Sequence, residues 1–215
     1  MGGRKEWERI AATSDPDELR ERIFTGYKTG KPFTPYVPTI ALPAAVSSVL
    51  DFGCGVGRNF PYLTSIAREV VGFDLEPMIE QCRTLATESV DVLTSDWEGI
   101  SRRRFDLVFA SLVLQHIETD ACLSYLADFA RLGPATYVLT RLQSDFGANV
   151  FGLVAESGLF HVRECAEVEH DAGTNELRQV GRRSFAEASR SSDNLHYEVL
   201  LTPNTNTDLV NPVSS

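Results

Sequence analysis

An acid stands two residues ahead of three alternating glycines in Asp51-Phe52-Gly53-Cys54-Gly55-Val56-Gly57. The run before it, Val49-Leu50, is short and apolar and suits a buried strand, and a helical pattern opens at Asn59-Phe60-Pro61. A strand feeding a glycine turn and then a helix gathers backbone N–H groups and a positive helix end at one place. Glycine tolerates positive φ there and leaves room for a ligand against the backbone. A nucleotide-like cofactor is the natural occupant. The hydride-carrier spacing G-x-G-x-x-G would need glycine at position 58, where the chain has Arg58, and no G-K-[ST] follows. An acid at position 51 would repel a pyrophosphate but suits an ammonium group, so the cofactor has an amino-acid end.

Two further acids close strand-like runs. Asp74 ends Glu69-Val70-Val71-Gly72-Phe73-Asp74, about twenty residues past the glycines, where a carboxylate commonly holds both ribose hydroxyls. It could instead cap the next helix, although Pro77 as a first helical residue makes Glu76 the better cap. Asp96 ends Asp91-Val92-Leu93-Thr94-Ser95-Asp96 and precedes Trp97. It could accept from an exocyclic amine beside a sandwiched flat ring, or equally serve as N-cap of a helix starting at Trp97. His116 lies just beyond a fourth strand, where open parallel sheets bind ligands, and is the candidate general base; packing against the following helix is its competing role. Arg141, Gln143 and Asp145 follow the fifth strand on the same rim.

These residues need a frame to hold them. The pattern predicts strands over 47–52, 69–74, 90–95, 105–111 and 135–141, alternating with helices over 59–67, 77–87, 97–101 and 119–132. That alternation predicts an α/β doubly wound, mostly parallel sheet of about seven strands. A helix over 147–157, a strand over 161–169, an irregular 171–194 and a strand over 195–202 complete it, the last two strands pairing antiparallel. Ahead of the sheet, residues 5–28 read as two helical pieces, the second carrying Leu19, Ile23 and Tyr27. The proline-rich stretch 29–44 reads as an ordered connector that covers the glycine turn, with Tyr27 and Lys28 at its start. The domain plan is an N-terminal helical cover over 1–44, a cofactor domain over 45–203 and a frayed tail over 204–215.

The motifs across three strands resemble those of class I S-adenosylmethionine-dependent methyltransferases of the small-molecule type, with a Rossmann-like sheet. The resemblance covers about residues 45 to 142 and, more loosely, the final strand pair. It implies that Asp51, Gly53, Gly55 and Gly57 surround the methionine part of S-adenosylmethionine. It implies that Asp74 with Leu75 holds the ribose, that Asp96 and Trp97 border the adenine, and that Ser111 lies beside the cofactor. The implied reaction moves a methyl group to an O or N atom of a small molecule by in-line displacement, a step that positioning can accelerate strongly. A base is needed only where the acceptor still holds its proton.

Composition narrows the partners. The net charge of −10 supplies no basic footprint for nucleic acid or an anionic membrane, and no run approaches the length of a membrane span. The four cysteines are scattered without a C-x-x-C pair, which argues against a zinc cluster or disulfide framework and fits a cytoplasmic, reducing setting. His161, His170 and His196 have no ligand spacing, so no metal is expected. Two rival functions remain at this level: methylation of a protein or glycan, and a non-catalytic module that only binds S-adenosylmethionine.

Overall fold

The computed structural model describes residues 4–13, 15, 18, 34–85, 90–170, 176–181, 183–193 and 195–204. Strands β1 (Ser48–Phe52), β2 (Glu69–Phe73), β3 (Val92–Thr94), β4 (Leu107–Ser111), β5 (Thr136–Arg141), β6 (Phe160–His170), β7 (Leu177–Gly181) and β8 (His196–Pro203) form one sheet, in the order β3-β2-β1-β4-β5-β8-β6-β7. Strands β1 to β5 run parallel; β8 inserts antiparallel between β5 and β6. The central strands are mostly apolar, and each is buried save for one half-buried end residue, as suits strands covered on both faces. The strand order reverses between β1 and β4, which opens a crevice at their carboxyl ends.

Helices fill both faces. They are α1 (Arg4–Thr13), α2 (Phe60–Ile66), α3 (Glu76–Leu85), α4 (Trp97–Ser101), α5 (Thr119–Leu132), α6 (Val150–Ser157) and α7 (Phe185–Ala188), with a 3-10 turn at Leu114–His116. One core layer joins Leu50, Val108, Val138 and Val199 to Leu126 and Phe129 of α5 and Phe151 of α6. The other joins Val49, Phe109 and Tyr137 to Phe60 and Leu63 of α2, Ile79 of α3, and Tyr36 and Ile40 of the connector. The alternation along each strand sends successive side chains to opposite layers.

The parallel half follows the sequence pattern. The far half departs from it: the segment expected to be irregular holds β7 and α7. Strand β7 gives the sheet its eighth strand, an edge strand whose three central residues are exposed, so no apolar alternation announces it. Helix α7 did carry a signature, since Ser184 and Glu187 form a reciprocal capping box. Helix α3 begins at Glu76, so Glu76 is a helical residue and not the cap.

Helix α1 matches the first predicted N-terminal piece. Most of the second, with Leu19, Ile23, Tyr27 and Lys28, lies outside the described residues, as do the connector's start, residues 86–89 after α3 and the tail beyond 204. The described connector is ordered by named partners. The Arg58 guanidinium lies 3.5 Å over the Tyr36 ring and its Nε donates to the Thr34 carbonyl at 2.9 Å, while the Tyr36 N–H donates to Asn59 Oδ1 at 3.1 Å. Farther along, Thr39 N–H donates to both oxygens of the fully buried Glu198 at 3.1 Å. The connector thus runs from the start of α2 across the sheet to β8.

Candidate active site

Strand β1 delivers Asp51 to the crevice, and the turn that follows is built by the three glycines at φ of 73°, 57° and 84°. Gly53 is required twice. Its φ is left-handed, and a Cβ there would lie 2.3 Å from Cγ2 of Val113, the second residue past β4's end. The turn therefore nests under the end of β4. Its N–H groups are already engaged: Gly53 and Cys54 donate to the Phe73 carbonyl at 2.8 and 3.1 Å, Gly57 to Cys54 at 3.0 Å, and Gly55 to Asp74 Oδ2 at 2.7 Å. A phosphate would find few of them free, in keeping with a cofactor that is not held by its phosphates.

Asp74 sits at the carboxyl end of β2, directly against the turn. Its second oxygen accepts from Leu75 N–H at 2.7 Å. Each carboxylate oxygen keeps a further lone pair, enough to accept from one hydroxyl apiece. Leu75 packs with Ile10 and Ala11 of α1, Val56 of the turn and Met78, so α1 roofs the glycine turn while the connector anchors beside it. Burial pushes the Asp74 carboxyl up to about 6, against the two N–H bonds that pull it down.

Asp51 is the more telling group. It is fully buried and neither carboxylate oxygen has a hydrogen-bond partner. Burial, with Asp74 as a second and smaller cause, pushes its pKa up to about 8. A buried carboxylate left without partners is costly, and in a folded protein it calls for a reason. Ser111 Oγ, at the end of the neighbouring β4, is also buried and unpartnered. Two unmet polar groups on adjacent strand ends, beside a turn that cannot hold larger side chains, fit a ligand carrying a cationic hydrogen-bond donor. S-adenosylmethionine, with its ammonium group, meets that description.

The adenine pair takes a different form. Asp96 is exposed and caps α4, accepting from Gly99 N–H at 3.0 Å, the alternative reading of that residue. Trp97 packs into an aromatic cluster, 4.9 Å from Phe73 and Tyr125 and 5.4 Å from Phe52 between ring centroids, and its Nε1–H donates to Asp128 at 2.8 Å. The indole thus builds the wall below the β2 and β3 ends, and Asp96 keeps acceptor capacity at the rim.

His116 lies in the 3-10 turn past β4. Its Nδ1 is 2.6 Å from Asp145 Oδ2, and its ring meets Trp7 of α1 edge-on at 5.4 Å. Asp145 also accepts from Arg141 Nη2 at 2.9 Å. Burial lowers the His116 pKa, Asp145 raises it in part, and Arg141 lowers it slightly. Asp145, seen in the sequence only as a rim residue, is thus the partner of the candidate base; no spacing rule links positions 116 and 145. Among the described residues no group of histidine, cysteine or acidic side chains could hold a metal ion, and no helix is long and apolar enough to cross a membrane.

Comparison with known proteins agrees with this geometry. Residues 49–133 match the family model of a methyltransferase domain. Among solved structures, the N-methyltransferase NodS from Bradyrhizobium japonicum WM9 in complex with S-adenosyl-L-homocysteine is similar at a TM-score of 0.55 and 14% identity, over 93% of this chain and 97% of that one. The structure described under the conversion of a disulfide bond into a thioacetal group during echinomycin biosynthesis gives 0.51 at 18% identity, over 76% and 78%. TehB from Haemophilus influenzae gives 0.50 at 15% identity, over 75% of this chain and 58% of that one. No curated protein matches the sequence. Residues 49–133 are thus similar to a methyltransferase domain, and the sheet that carries them has the fold of these solved structures.

Proposed function

We propose that the chain transfers a methyl group from S-adenosylmethionine to an O or N atom of a small-molecule acceptor, with residues 1–44 covering a cofactor domain over 45–203. The observation that carries this reading is the buried, partnerless carboxylate of Asp51 beside the glycine turn and Asp74. In this assignment Asp51 faces the cofactor's ammonium group while Gly53, Gly55 and Gly57 shape the space for its methionine part. Asp74, held open by the Gly55 and Leu75 amides, accepts from the ribose hydroxyls, and Leu75 packs beneath. Asp96 and Trp97 border the adenine side, and Ser111 offers its hydroxyl from β4. When bound, S-adenosylmethionine supplies an electrophilic methyl group. The protein's share is to hold the acceptor in line, exclude water beneath α1, and take a proton at His116 where the acceptor carries one.

A small acceptor is supported by the net charge of −10, which disfavours a polyanion, and by neighbours named for N-methylation and for echinomycin biosynthesis. Calorimetry with S-adenosyl-L-homocysteine tests the cofactor site, and label transfer from S-adenosylmethionine to size-fractionated cell extract tests the acceptor. Binding with label confined to the large-molecule fraction would point to a protein or glycan acceptor. Binding with no transfer to any fraction would leave a binding module.

A further inference from the structure

The hydrogen bonds around His116 form a chain whose direction is set at one end by the backbone. The Arg141 N–H donates to Gln115 Oε1 at 2.7 Å, while the Thr140 hydroxyl, 3.3 Å from the same oxygen, has its nearer acceptor in the Arg141 carbonyl at 2.8 Å. A backbone N–H can only donate, so the Gln115 atom facing it is the carbonyl oxygen and the amide nitrogen points the other way. That nitrogen lies 3.2 Å from His116 Nε2. An amide NH₂ also can only donate, so Nε2 accepts and bears no proton. The ring proton is then on Nδ1, where Asp145 Oδ2 accepts it at 2.6 Å. Asp145 is itself fixed, by Arg141 Nη2 on its other oxygen and by its own N–H on the Gln115 carbonyl at 2.8 Å.

We propose that Asp145 is a positioning residue which, with Gln115, fixes His116 in the Nδ1-protonated tautomer and so presents Nε2 as the nitrogen that takes the proton of a hydroxyl-bearing acceptor. This rests on the methyltransferase reading above and narrows it to acceptors that hold their proton. The Gln115 contact to Nε2 is a long N–H···N bond, and an acceptor O–H donating to Nε2 replaces it. The acceptor oxygen loses its proton to Nε2 and gains the methyl group, whose former bonding pair stays on the donor sulfur. The imidazolium formed faces the Asp145 carboxylate, the arrangement that stabilises a histidine cation without moving a second proton. Among the described residues the charged groups acting on His116 are Asp145 and Arg141; Trp7 from α1, Thr140 from β5 and Gln115 in its own turn bring no charge.

Two near-isosteric variants push the chain in opposite directions. Asp145→Asn removes the negative charge and offers an amide, so the midpoint for protonating His116 falls. Gln115→Glu keeps an oxygen for the Arg141 N–H and places a second one against Nε2, so the midpoint rises. Nitrogen-15 NMR of the imidazole, with the His116→Ala protein to identify the signals, reads tautomer and midpoint directly. The full-length wild-type protein should show a protonated Nδ1 and a bare Nε2 above its midpoint. Label transfer from S-adenosylmethionine to the small-molecule fraction of a cell extract should follow each midpoint, with Asp145→Asn slower by at least about tenfold. Both shifts in opposite senses, tracked by the rate, are not what loss of a packing contact would give. An Nε2-protonated ring in the wild type would overturn the proposal, as would a rate profile unmoved in both variants or unchanged turnover in His116→Ala. Failure of the wild type to bind S-adenosyl-L-homocysteine would overturn the methyltransferase reading itself, a result that the NMR tautomer cannot mimic.

Discussion

Burial, with Asp74 behind it, pushes the Asp51 carboxyl from its ordinary value of 3.8 up to about 8 in the folded protein. Between those values the folded state holds a proton that the unfolded state has released, so stability falls as pH rises through that window and levels off above it. Asp74, pushed up to about 6, adds to the same slope at its lower end. Asp51→Asn keeps the shape and cannot ionise. It should be more stable than wild type at pH 8 by about 1–3 kcal/mol, with a flatter profile between pH 4 and 8, measured by denaturant midpoints without ligand. The same variant should bind S-adenosyl-L-homocysteine at least tenfold more weakly, because the buried partner of its ammonium is gone. A second consequence concerns the proton. Binding near pH 7 should release protons from Asp51, seen as a calorimetric heat that changes with the ionisation enthalpy of the buffer. Asp74→Ala should weaken binding by about 1.5–3 kcal/mol through loss of charged hydrogen bonds. It also strips acceptors from Gly55 and Leu75, so Asp74→Asn, which keeps one, should bind at an intermediate strength.

At the level of elements, the turn after β1 is squeezed between its own backbone and the second residue past β4. Gly53→Ala must hold a left-handed φ and clear Val113, so it should destabilise by about 2–4 kcal/mol. Shrinking the obstacle in Gly53→Ala/Val113→Ala should recover the steric part and leave the conformational part, a coupling that a double-mutant cycle on urea midpoints measures. This element was legible in the chain because its constraints are local: apolar β1, alternating glycines and a proline at the start of α2 all lie within about a dozen residues. Asp74 was legible for a related reason, since a strand of fixed length ends where its apolar run ends. What escaped was set by tertiary contact. Strand β7 exposes its central residues at the sheet's edge and so lacks a buried face to read. Asp145 reaches His116 only because β4 and β5 are neighbours, and the protein wall that Trp97 builds depends on Phe52, Phe73 and Tyr125 from three other elements.

Across the whole molecule, one carboxylate ties the connector to the sheet. Glu198 lies in β8 with no solvent exposure and accepts from Tyr137 Oη at 2.9 Å, from the Thr39 N–H and hydroxyl, and from the Ile40 amide. Burial raises its pKa and these donors pull it back. Its charge is therefore offset by hydrogen bonds that come from Tyr137 of β5 and, for the rest, from the connector, whose course past Arg58 and Asn59 toward the glycine turn shares this anchor. Glu198→Ala leaves the Tyr137 hydroxyl and two amides without acceptors in an apolar layer, each at a cost of about 1–3 kcal/mol. Glu198→Gln retains one acceptor oxygen and should lose less. If the connector is one cooperative unit with the sheet, both variants should lower the urea midpoint, Ala more than Gln. Proteolysis should then cut first between residues 34 and 46, and bound S-adenosyl-L-homocysteine should slow that cutting in proportion to the affinity that remains. Equal cutting rates with and without ligand would mean that the anchor serves the sheet and not the cofactor site.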